Sequence, residues 1–339
     1  MKQFSLVTTV YNEIRRLEQT IANIEAQTLQ PTEIVITDAG SSDGTFERLL
    51  KWKNESNIPI VVLQKLKCNI AEGRNLAIKT AKYNLIASTD FGCRYHPEWL
   101  ESLIQVFEDE TINVVGGAFS VIEKDIVTIA GKADYVLSKA YSIPLKEYAA
   151  TSSRSIAYYK YIWDEIGGYP EWLTLAADDT VFWRLILKSG YKYQLIDKPY
   201  VFWERHKSFL QFGKETFRYG LGDGESGINY RNFYSHIIET SLRYLFILNL
   251  ILLPFTLRIS IIIPLIIFVF SLPGLRSYKN TLRNWLLMKS GKYNLRVLFA
   301  SIYLVEISRF FYIRGYIKGR FLSNKEVLVQ RKKLQQILS

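Results

Sequence analysis

In the first third of the chain, short apolar runs alternate with helical patterns. Each apolar run and the helical pattern after it lie at residues 4–10 and 13–26, 33–37 and 43–54, 60–64 and 72–81, and 85–89 and 97–109. A strand followed by a helix, repeated several times, is the pattern of a parallel sheet covered by helices. Extended stretches at 112–123 and 152–158 and a helix at about 179–189 continue it. The sequence therefore predicts an α/β domain.

A second kind of pattern begins near residue 237. Residues 237–257 and 259–275 are two largely apolar runs with Arg258 in the turn between them. About 20 apolar residues suffice to cross a hydrocarbon core of ~30 Å. Other Lys and Arg residues lie before and after the pair, so the positive-inside rule predicts a transmembrane hairpin with both ends in the cytoplasm. Arg243, inside the first run, would have to extend toward the membrane surface. A helical pair buried in a soluble domain is the alternative.

Charge divides the chain in a similar way. The formal net charge is +11, and from Arg205 onward there are 21 Lys and Arg against 6 Asp and Glu. A basic zone interleaved with apolar segments indicates anionic lipid as a partner. No nucleic-acid motif is present, so no nucleic-acid partner is expected. We predict a catalytic domain at 1–235 and a membrane-associated helical region at 236–339, in which 295–313 is an amphipathic interfacial helix.

The compartment is predicted from the cysteines and the first residues. The chain has 2 cysteines, and two cysteines make no disulfide framework, so a reducing compartment is expected. The printed sequence opens on a strand-like run without the basic region, apolar stretch and cleavage site of a signal peptide. We therefore expect the first domain on the cytoplasmic side of the cytoplasmic membrane.

Polar residues follow the first two predicted strands. Tyr11, Asn12 and Glu13 come after the first strand, and Asp38 and Gly40 come at the end of the second. Ligands of open α/β sheets bind beyond the carboxyl ends of the strands. The carboxylate of Asp38 could accept a hydrogen bond from the imide N–H of a base, and Tyr11 could stack on that base. The alternative is an ordinary strand–turn–helix junction without a ligand.

A pair of acidic residues opens the helix predicted at 179–189. Asp178 and Asp179 are adjacent at its start. A hydroxyl that attacks a carbon centre must lose its proton, so a carboxylate within hydrogen-bond reach can serve as general base. A neighbouring carboxylate can raise the pKa of that base, because two like charges resist joint ionisation. The alternative is a pair of acidic residues that cap the helix.

Several strings, in this order, resemble family 2 glycosyltransferases of the GT-A fold. They are Tyr11-Asn12-Glu13, Asp38-Ala39-Gly40-Ser41-Ser42-Asp43-Gly44-Thr45, Gly73-Arg74-Asn75, Thr89-Asp90-Phe91-Gly92-Cys93, and Gly167-Gly168-Tyr169 followed by Asp178-Asp179. The resemblance implies a mixed sheet flanked by helices. It implies an inverting enzyme of the hexosyltransferase type with Asp179 as base, which moves a sugar from a nucleoside-diphosphate sugar to a hydroxyl of a lipid-linked or glycan acceptor. The alternative function is a catalytically silent, nucleotide-sugar-binding subunit of a membrane polysaccharide-assembly complex.

The resemblance also implies a set of donor ligands. The predicted ligands are Thr9, Tyr11, Asn12, Glu13, Asp38, Gly40, Arg74, Asn75, Asp90, Arg205, His206 and Arg218. The family carries an Asp-x-Asp metal motif at the place where this chain has Asp90 and Gly92. A Mg²⁺ or Mn²⁺ ion held weakly by Asp90, with His206 as a second candidate ligand, is therefore expected. The alternative is that cationic side chains stabilise the departing diphosphate without a metal.

Overall fold

The computed structural model describes residues 2–138, 151–288 and 291–339. The chain forms two compact units. The first consists of Met1–Glu123, Ala140–Glu204 and Val329–Ser339, and the second consists of Lys124–Lys139 and Arg205–Leu328. The sequence predicts that the catalytic domain ends at residue 235. In the structure, the unit that holds the sheet includes the chain as far as Glu204, and the second unit includes it from Arg205 to Leu328.

Eight strands are found among the described residues, and all belong to one sheet of the first unit. They are β1 (Phe4–Val10), β2 (Glu33–Asp38), β3 (Ile60–Gln64), β4 (Leu85–Ser88), β5 (Arg94–Tyr95), β6 (Val114–Ser120), β7 (Ile156–Tyr159) and β8 (Tyr193–Phe202). Their order across the sheet is β3-β2-β1-β4-β7-β6-β8-β5. The four strands predicted from the apolar runs are confirmed as β1 to β4.

The α-helices alternate with these strands and then continue alone. They are α1 (Ile14–Glu25), α2 (Thr45–Glu55), α3 (Ile70–Thr80), α4 (Trp99–Ile104), α5 (Ile129–Leu137), α6 (Lys160–Glu165), α7 (Asp178–Lys188), α8 (Phe209–Ser226), α9 (Tyr230–Thr256), α10 (Ile262–Ser271), α11 (Arg276–Leu286), α12 (Leu295–Phe321) and α13 (Lys325–Leu338). The helices after the first four strands confirm the predicted α/β pattern.

The sheet is parallel on one side and mixed on the other. β1 pairs in parallel with β2 and β4, and β2 pairs in parallel with β3. β7 runs antiparallel to both β4 and β6. In the register of the central pair, Val10 lies opposite Asp38, so the ends of β1 and β2 and the loops after them share one edge of the sheet. The predicted site residues of these two loops are therefore brought together.

The core lies on both faces of the sheet. Leu6 and Ile36 pack on one face, whereas Val7 and Val35 pack on the other, and all four are fully buried. Strands that are buried on both faces read as continuous apolar runs, which explains why the sequence predicts β1, β2 and β4. β8 was not predicted. It carries Lys198 and Pro199 and is mostly half-exposed, so its sequence shows no such run.

The second unit contains two long apolar helical segments. Tyr230–Thr256 and Ile262–Leu286 are long and apolar enough to cross a membrane, and only 17% of the most apolar window of each is buried. The break between them coincides with the predicted turn around Arg258. Arg243 differs from the expectation: its side chain is fully buried and pairs with Glu239 at 3.2 Å and Glu306 at 3.0 Å. Glu239, Arg243, Glu306 and Arg309 form what we call the Arg243 network, in which Arg309 also pairs with Glu239.

Glycines bring α8 and α12 into close contact. A Cβ atom added at Gly220 would lie 2.2 Å from the carbonyl oxygen of Tyr312, and one added at Gly319 would lie 2.2 Å from that of Leu221. Gly224 and Gly315 approach the opposite backbone equally closely. Small residues four apart on both helices allow such backbone-to-backbone packing. This packing also explains why α12 continues to Phe321 rather than ending near residue 313, since its glycines would weaken an isolated helix.

Candidate active site

Asn12 joins the loops that follow β1 and β2. Its backbone has a positive φ of 54°. Its N–H donates to Ser41 Oγ at 2.8 Å, and its side-chain oxygen accepts from the N–H of Ser42 at 2.9 Å. Asparagine tolerates this left-handed conformation better than most residues. Asn12 therefore shapes the rim of the candidate pocket, and the adjacent Tyr11 extends from that rim with 60% of its surface exposed.

Asp38, at the end of β2, has one oxygen in use and one without a partner. Its Oδ1 accepts from the N–H groups of Gly40 at 2.9 Å and Ser41 at 3.0 Å and from Gln64 Nε2 at 3.1 Å. Its Oδ2 is buried and meets no hydrogen-bond donor among the described residues. A buried acceptor without a donor costs about 1–3 kcal/mol. Asp38 therefore keeps one acceptor atom without a hydrogen bond.

Arg74 links the carboxylates of Asp90 and Asp178. It lies on α3, whose first turn is fixed by a capping box of Asn69 and Glu72. Its guanidinium is almost fully buried and donates to Asp90 Oδ1 at 2.7 Å and to Asp178 Oδ2. Arg74, Asp90 and Asp178 are called the Arg74 triad below. Arg74 thus holds carboxylates from two loops in place rather than presenting its charge to solvent.

Thr9 and Gly73 let α3 approach β1. A Cβ atom at Gly73 would lie 2.9 Å from Thr9 Cγ2, which is closer than side chains pack. The glycine of the Gly-Arg-Asn string is therefore needed for packing, and it sets the depth at which Arg74 enters the site. Thr9 is half-buried at this contact.

The two acidic residues at the start of α7 have different environments. Burial, reinforced by the nearby carboxylates of Asp179 and Asp90, raises the pKa of Asp178 to about 6 despite its ion pair with Arg74. Asp179 forms no ion pair with any described residue. It accepts from Ser152 Oγ at 3.3 Å and from the N–H of Thr180 at 2.8 Å. Asp179 is therefore the carboxylate of the pair that is open to a substrate hydroxyl.

Arg154 is a site residue that the sequence analysis missed. Its Nε lies 3.5 Å from Asp90 Oδ2, and its NH1 donates to Ser152 Oγ at 3.1 Å. The guanidinium lies 3.9 Å from the ring centroid of Trp203, which orients it by a cation–π contact. Because Ser152 also contacts Asp179, Arg154 connects the Arg74 triad with the open carboxylate. An arginine after two serines in an extended stretch gave no motif by which to find it.

Asn75 was predicted as a donor ligand, and the structure does not support this role. Its amide nitrogen donates to Tyr169 O at 2.8 Å and Glu171 Oε1 at 2.9 Å. Its amide oxygen accepts from Trp163 Nε1 at 2.8 Å and from the N–H of Tyr169 at 2.9 Å. These four bonds use the full hydrogen-bonding capacity of an asparagine amide. Asn75 fastens the Gly-Gly-Tyr loop instead.

Arg205 and His206 were predicted as donor ligands, but they belong to the second unit. Arg205 pairs with the buried carboxylate of Asp134. His206 places Nδ1 2.8 Å from Asp134 and Nε2 3.2 Å from Glu215. Burial lowers the pKa of His206, but these hydrogen bonds outweigh it and raise the pKa to about 9. We call these four residues the His206 cluster. Arg218 also belongs to the second unit, where it is exposed on α8.

His206 is not suited to hold a metal. A protonated imidazole has no lone pair for a metal ion, and both ring nitrogens already face carboxylates. This geometry speaks against His206 as a metal ligand, and that role stays a prediction.

At the expected metal site the chain has Asp90 but no second aspartate, because Gly92 stands in its place. Each oxygen of Asp90 faces a guanidinium, that of Arg74 or that of Arg154. Gly92 has a φ of 85°, and a Cβ atom there would lie 3.1 Å from Glu13 Oε2. An aspartate at this position would be strained and would meet another carboxylate. Among the described residues there is no group of three or more His, Cys, Asp or Glu that could hold a metal ion. Within the described part of the chain, Asp90 is thus the one acidic residue of the expected Asp-x-Asp motif.

Residues 5–166 match the family model described as Glycosyl transferase family 2. These residues form a glycosyl transferase family 2 domain. The match spans β1 to β7 and α6, and therefore includes the Asp38 loop, Arg74, Asp90 and Arg154. The acidic pair of α7 lies just beyond it.

Curated relatives and a solved structure agree with this family 2 assignment. The chain is 22% identical to glycosyltransferase AglE of Haloferax volcanii, over 55% of the chain and 62% of the relative. It is 25% identical to the O-antigen chain rhamnosyltransferase WbaN of Salmonella anatum, over 57% of the chain and 63% of the relative. The chain thus spans less than two thirds of these relatives.

A mannosyltransferase from Pyrobaculum calidifontis, solved with GDP-Man and Mn²⁺, resembles 95% of this chain with a TM-score of 0.56 and 14% identity, and 88% of that chain is covered. At this identity the likeness shows the fold, which is GT-A.

Proposed function

We propose that this family 2 protein transfers a sugar from a nucleoside-diphosphate sugar to a hydroxyl of a glycan or lipid-linked acceptor, with inversion at the anomeric carbon. One observation carries the proposal. The first unit holds two carboxylate groups with unused hydrogen-bonding capacity: the buried Oδ2 of Asp38 and the unpaired carboxylate of Asp179. They suit the two ends of the reaction, which are donor recognition and deprotonation of the acceptor.

Asp38 would recognise the base. An imide N–H, as in uracil or guanine, is the donor that its second oxygen lacks. The hydrogen bonds from Gly40, Ser41 and Gln64 hold the carboxylate in one orientation, so that no reorganisation is needed on binding. The exposed ring of Tyr11 at the rim would then cover the base. GDP-Man, present in the Pyrobaculum mannosyltransferase, carries such an N–H and fits this recognition.

Asp179 would act as the general base. The acceptor hydroxyl attacks the anomeric carbon as its proton passes to Asp179, and the bond from that carbon to the diphosphate breaks on the opposite side. A single displacement of this kind inverts the anomeric configuration. Asp178 cannot take this role because Arg74 engages it, but its position beside Asp179 helps to fix the start of α7.

The charge of the departing diphosphate requires a cation. The Pyrobaculum mannosyltransferase holds Mn²⁺, which makes a divalent cation the first candidate. This chain would offer such a cation only Asp90, whose oxygens face Arg74 and Arg154. Arg154, about a fifth exposed, is the guanidinium placed to stabilise the diphosphate as it leaves.

Membrane attachment would bring the enzyme to its acceptor. The two apolar segments of the second unit expose most of their surface, which favours a lipid surrounding. By the positive-inside rule the flanking basic residues would lie in the cytoplasm, where the catalytic unit would meet a lipid-linked or glycan acceptor.

The test uses the full chain purified in a mild detergent. A panel of nucleoside-diphosphate sugars is first screened by thermal unfolding, since a ligand at 100 times its Kd stabilises a protein by about 2.7 kcal/mol. The donor that binds is then supplied with lipid-linked and soluble glycan acceptors, and the anomeric configuration of the product is determined by NMR. An inverted product is expected. Donor binding without any transfer would favour the silent-subunit alternative, and a retained configuration would contradict the role of Asp179.

A further inference from the structure

A cavity of about 580 Å³ lies within the second unit. It is lined by residues of α8, α9 and α12 and by the residue that follows α12: Phe217, Thr240, Tyr244, Glu306, Arg309, Phe310, Ile313, Arg314, Ile317, Lys318 and Leu322. Its volume is within the ~300–1,000 Å³ typical of sites for small ligands. None of these residues belongs to the candidate active site, so the cavity has no role in the chemistry proposed above.

The part of the cavity that α12 lines has one apolar stripe and one basic stripe. Ile313 and Ile317 are one turn apart and form an apolar stripe, and Arg314 and Lys318, next to them in sequence, form a basic one. Side chains four apart lie on the same face of a helix, so each stripe is continuous. A ligand that fits this lining must be apolar on one side and negatively charged on the other.

The two basic residues have no acidic partner. Within the described part of the chain, neither Arg314 nor Lys318 forms an ion pair, and both are exposed. The Lys318 ammonium lies 5.8 Å from the ring centroid of Phe217, which holds it over the apolar lining. The other charged lining residues are already compensated, since Glu306 pairs with Arg243 and Arg309 pairs with Glu239. Two positive charges are therefore left over at the cavity.

The position of the cavity on α9 is that of a membrane interface. Thr240 and Tyr244 line it, and they lie where α9 changes from a part that carries charges to an apolar part. α9 is one of the two segments long and apolar enough to cross a membrane. Tyrosine is enriched where hydrocarbon meets headgroups. A ligand at this level would have its chain in the hydrocarbon and its charge near water.

We propose that this cavity binds a lipid phosphate: one long hydrocarbon chain that ends in a phosphate or diphosphate. The phosphate would lie on Arg314 and Lys318, and the first part of the chain would lie along Phe217, Ile313 and Ile317. A soluble phosphate compound would leave the apolar stripe uncovered, and an uncharged lipid would leave the two cations without a partner. Binding by this cavity does not depend on the proposed transfer reaction, although a lipid-linked acceptor would carry the same group.

The test measures binding to the full chain in a nonionic detergent. The probe is farnesyl phosphate, followed by microscale thermophoresis, with farnesol and inorganic phosphate as the two half-ligands. Farnesyl phosphate is expected to bind more tightly than either. Arg314→Gln and Lys318→Gln should each weaken it about fivefold and the double variant about thirtyfold, as expected for ~1 kcal/mol per basic residue near a lipid surface.

The control variant is Arg296→Gln, which removes the same charge from an exposed position of α12 outside the cavity and should bind as the unchanged chain does. The exchange Arg314→Lys with Lys318→Arg should preserve binding, because it keeps both charges. Equal loss in the Arg296 variant would show a general charge effect and overturn the site. Equal binding of farnesol, or equal competition by phosphatidylglycerol at the same concentration, would overturn the single-chain lipid phosphate as the occupant. Transfer activity is not used as a readout, so this test and that of the proposed reaction can fail independently.

Discussion

The two units of the molecule use buried charge in different ways. In the first unit, Arg74 joins the loop after β4 to the start of α7, while Asp38 Oδ2 and Asp179 keep unused hydrogen-bonding capacity. In the second unit, the His206 cluster and the Arg243 network bring charges of opposite sign directly against one another. Both arrangements contain arginines and carboxylates at short distance.

The difference shows that a group of charged residues does not by itself mark an active site. What separates the two is whether a carboxylate is left without a cationic partner: among the described residues Asp38 and Asp179 have none, whereas each carboxylate of the two clusters in the second unit has one. Charges that pair within the protein hold its elements together, and removing one partner leaves an uncompensated charge. Substitutions in the first unit should therefore change catalysis or binding, whereas substitutions in the clusters of the second should change stability.

The largest expected effect is on catalysis. Asp179→Asn keeps the shape of the side chain but cannot accept a proton, so transfer should fall by ~10²–10⁴-fold. Donor affinity and the unfolding temperature should stay nearly unchanged, because Asp179 forms no ion pair with any described residue. Initial rates with the identified donor measure the change, and Asp109→Asn, at an exposed position, is the matched control. Turnover comparable with that of the unchanged chain would remove Asp179 from the role of base.

The opposite result is expected in the second unit. Asp134→Asn leaves Arg205 and His206 without their shared carboxylate, so the unfolding free energy should fall by roughly 3–5 kcal/mol. Thermal unfolding in detergent measures it. A variant as stable as the unchanged chain would erase the distinction between the two units, since the cluster would then hold nothing together.

A third prediction tests whether a guanidinium group or a metal ion stabilises the departing diphosphate. Arg154→Gln should lower transfer by ~10²-fold, as expected when a donor to a developing anion is lost. The unchanged chain should keep most of its activity in EDTA, because Asp90 already faces two guanidiniums. Activity that disappears in EDTA and returns with Mn²⁺ would make Asp90 a metal ligand after all.

Base recognition should show a smaller effect. Asp38→Asn replaces one carboxylate oxygen by an NH₂ group. The one oxygen that remains cannot accept hydrogen bonds from both the loop N–H groups and the base. Donor affinity should weaken by about 10- to 100-fold, in line with ~1.5–3 kcal/mol for a hydrogen bond to a charged group. Isothermal titration with the nucleoside diphosphate measures it, and the same Asp109→Asn variant serves as control. Unchanged affinity would place the base elsewhere.

The smallest effect concerns pH. The pKa of His206 is raised to about 9 from an ordinary value of 6.5. A raised pKa means that the folded state holds the proton more tightly, so this stability is fully present below pH 6.5 and is lost as the pH rises through 9. The loss should be on the order of 1 kcal/mol, because the ring is partly exposed to solvent. Unfolding temperatures between pH 6 and 10 should fall less for His206→Gln. Parallel curves for both proteins would show that His206 is not protonated in the cluster.

The sequence by itself determined those strands and helices whose apolar residues follow the pattern of their burial. β1, β2 and β4 are buried on both faces, so each reads as an apolar run, and the helices between the strands show the period of one buried face. It also placed Asp38 at the end of the second strand and Asp179 at the start of a helix. The loops after β1 and β2 meet because parallel strands end at one edge of a sheet.

Only the tertiary structure decided which charged residue does what. Arg74 lies 104 positions before Asp178 in the chain, and Arg205 lies 71 positions after Asp134. No local pattern in the sequence links residues so far apart. Arg74 and Arg205 were both predicted as donor ligands, but Arg74 pairs with Asp90 and Asp178 in the first unit, and Arg205 pairs with Asp134 in the second. The glycines of α8 show the same limit: their need for space is set by α12, a separate stretch of sequence that only folding brings alongside.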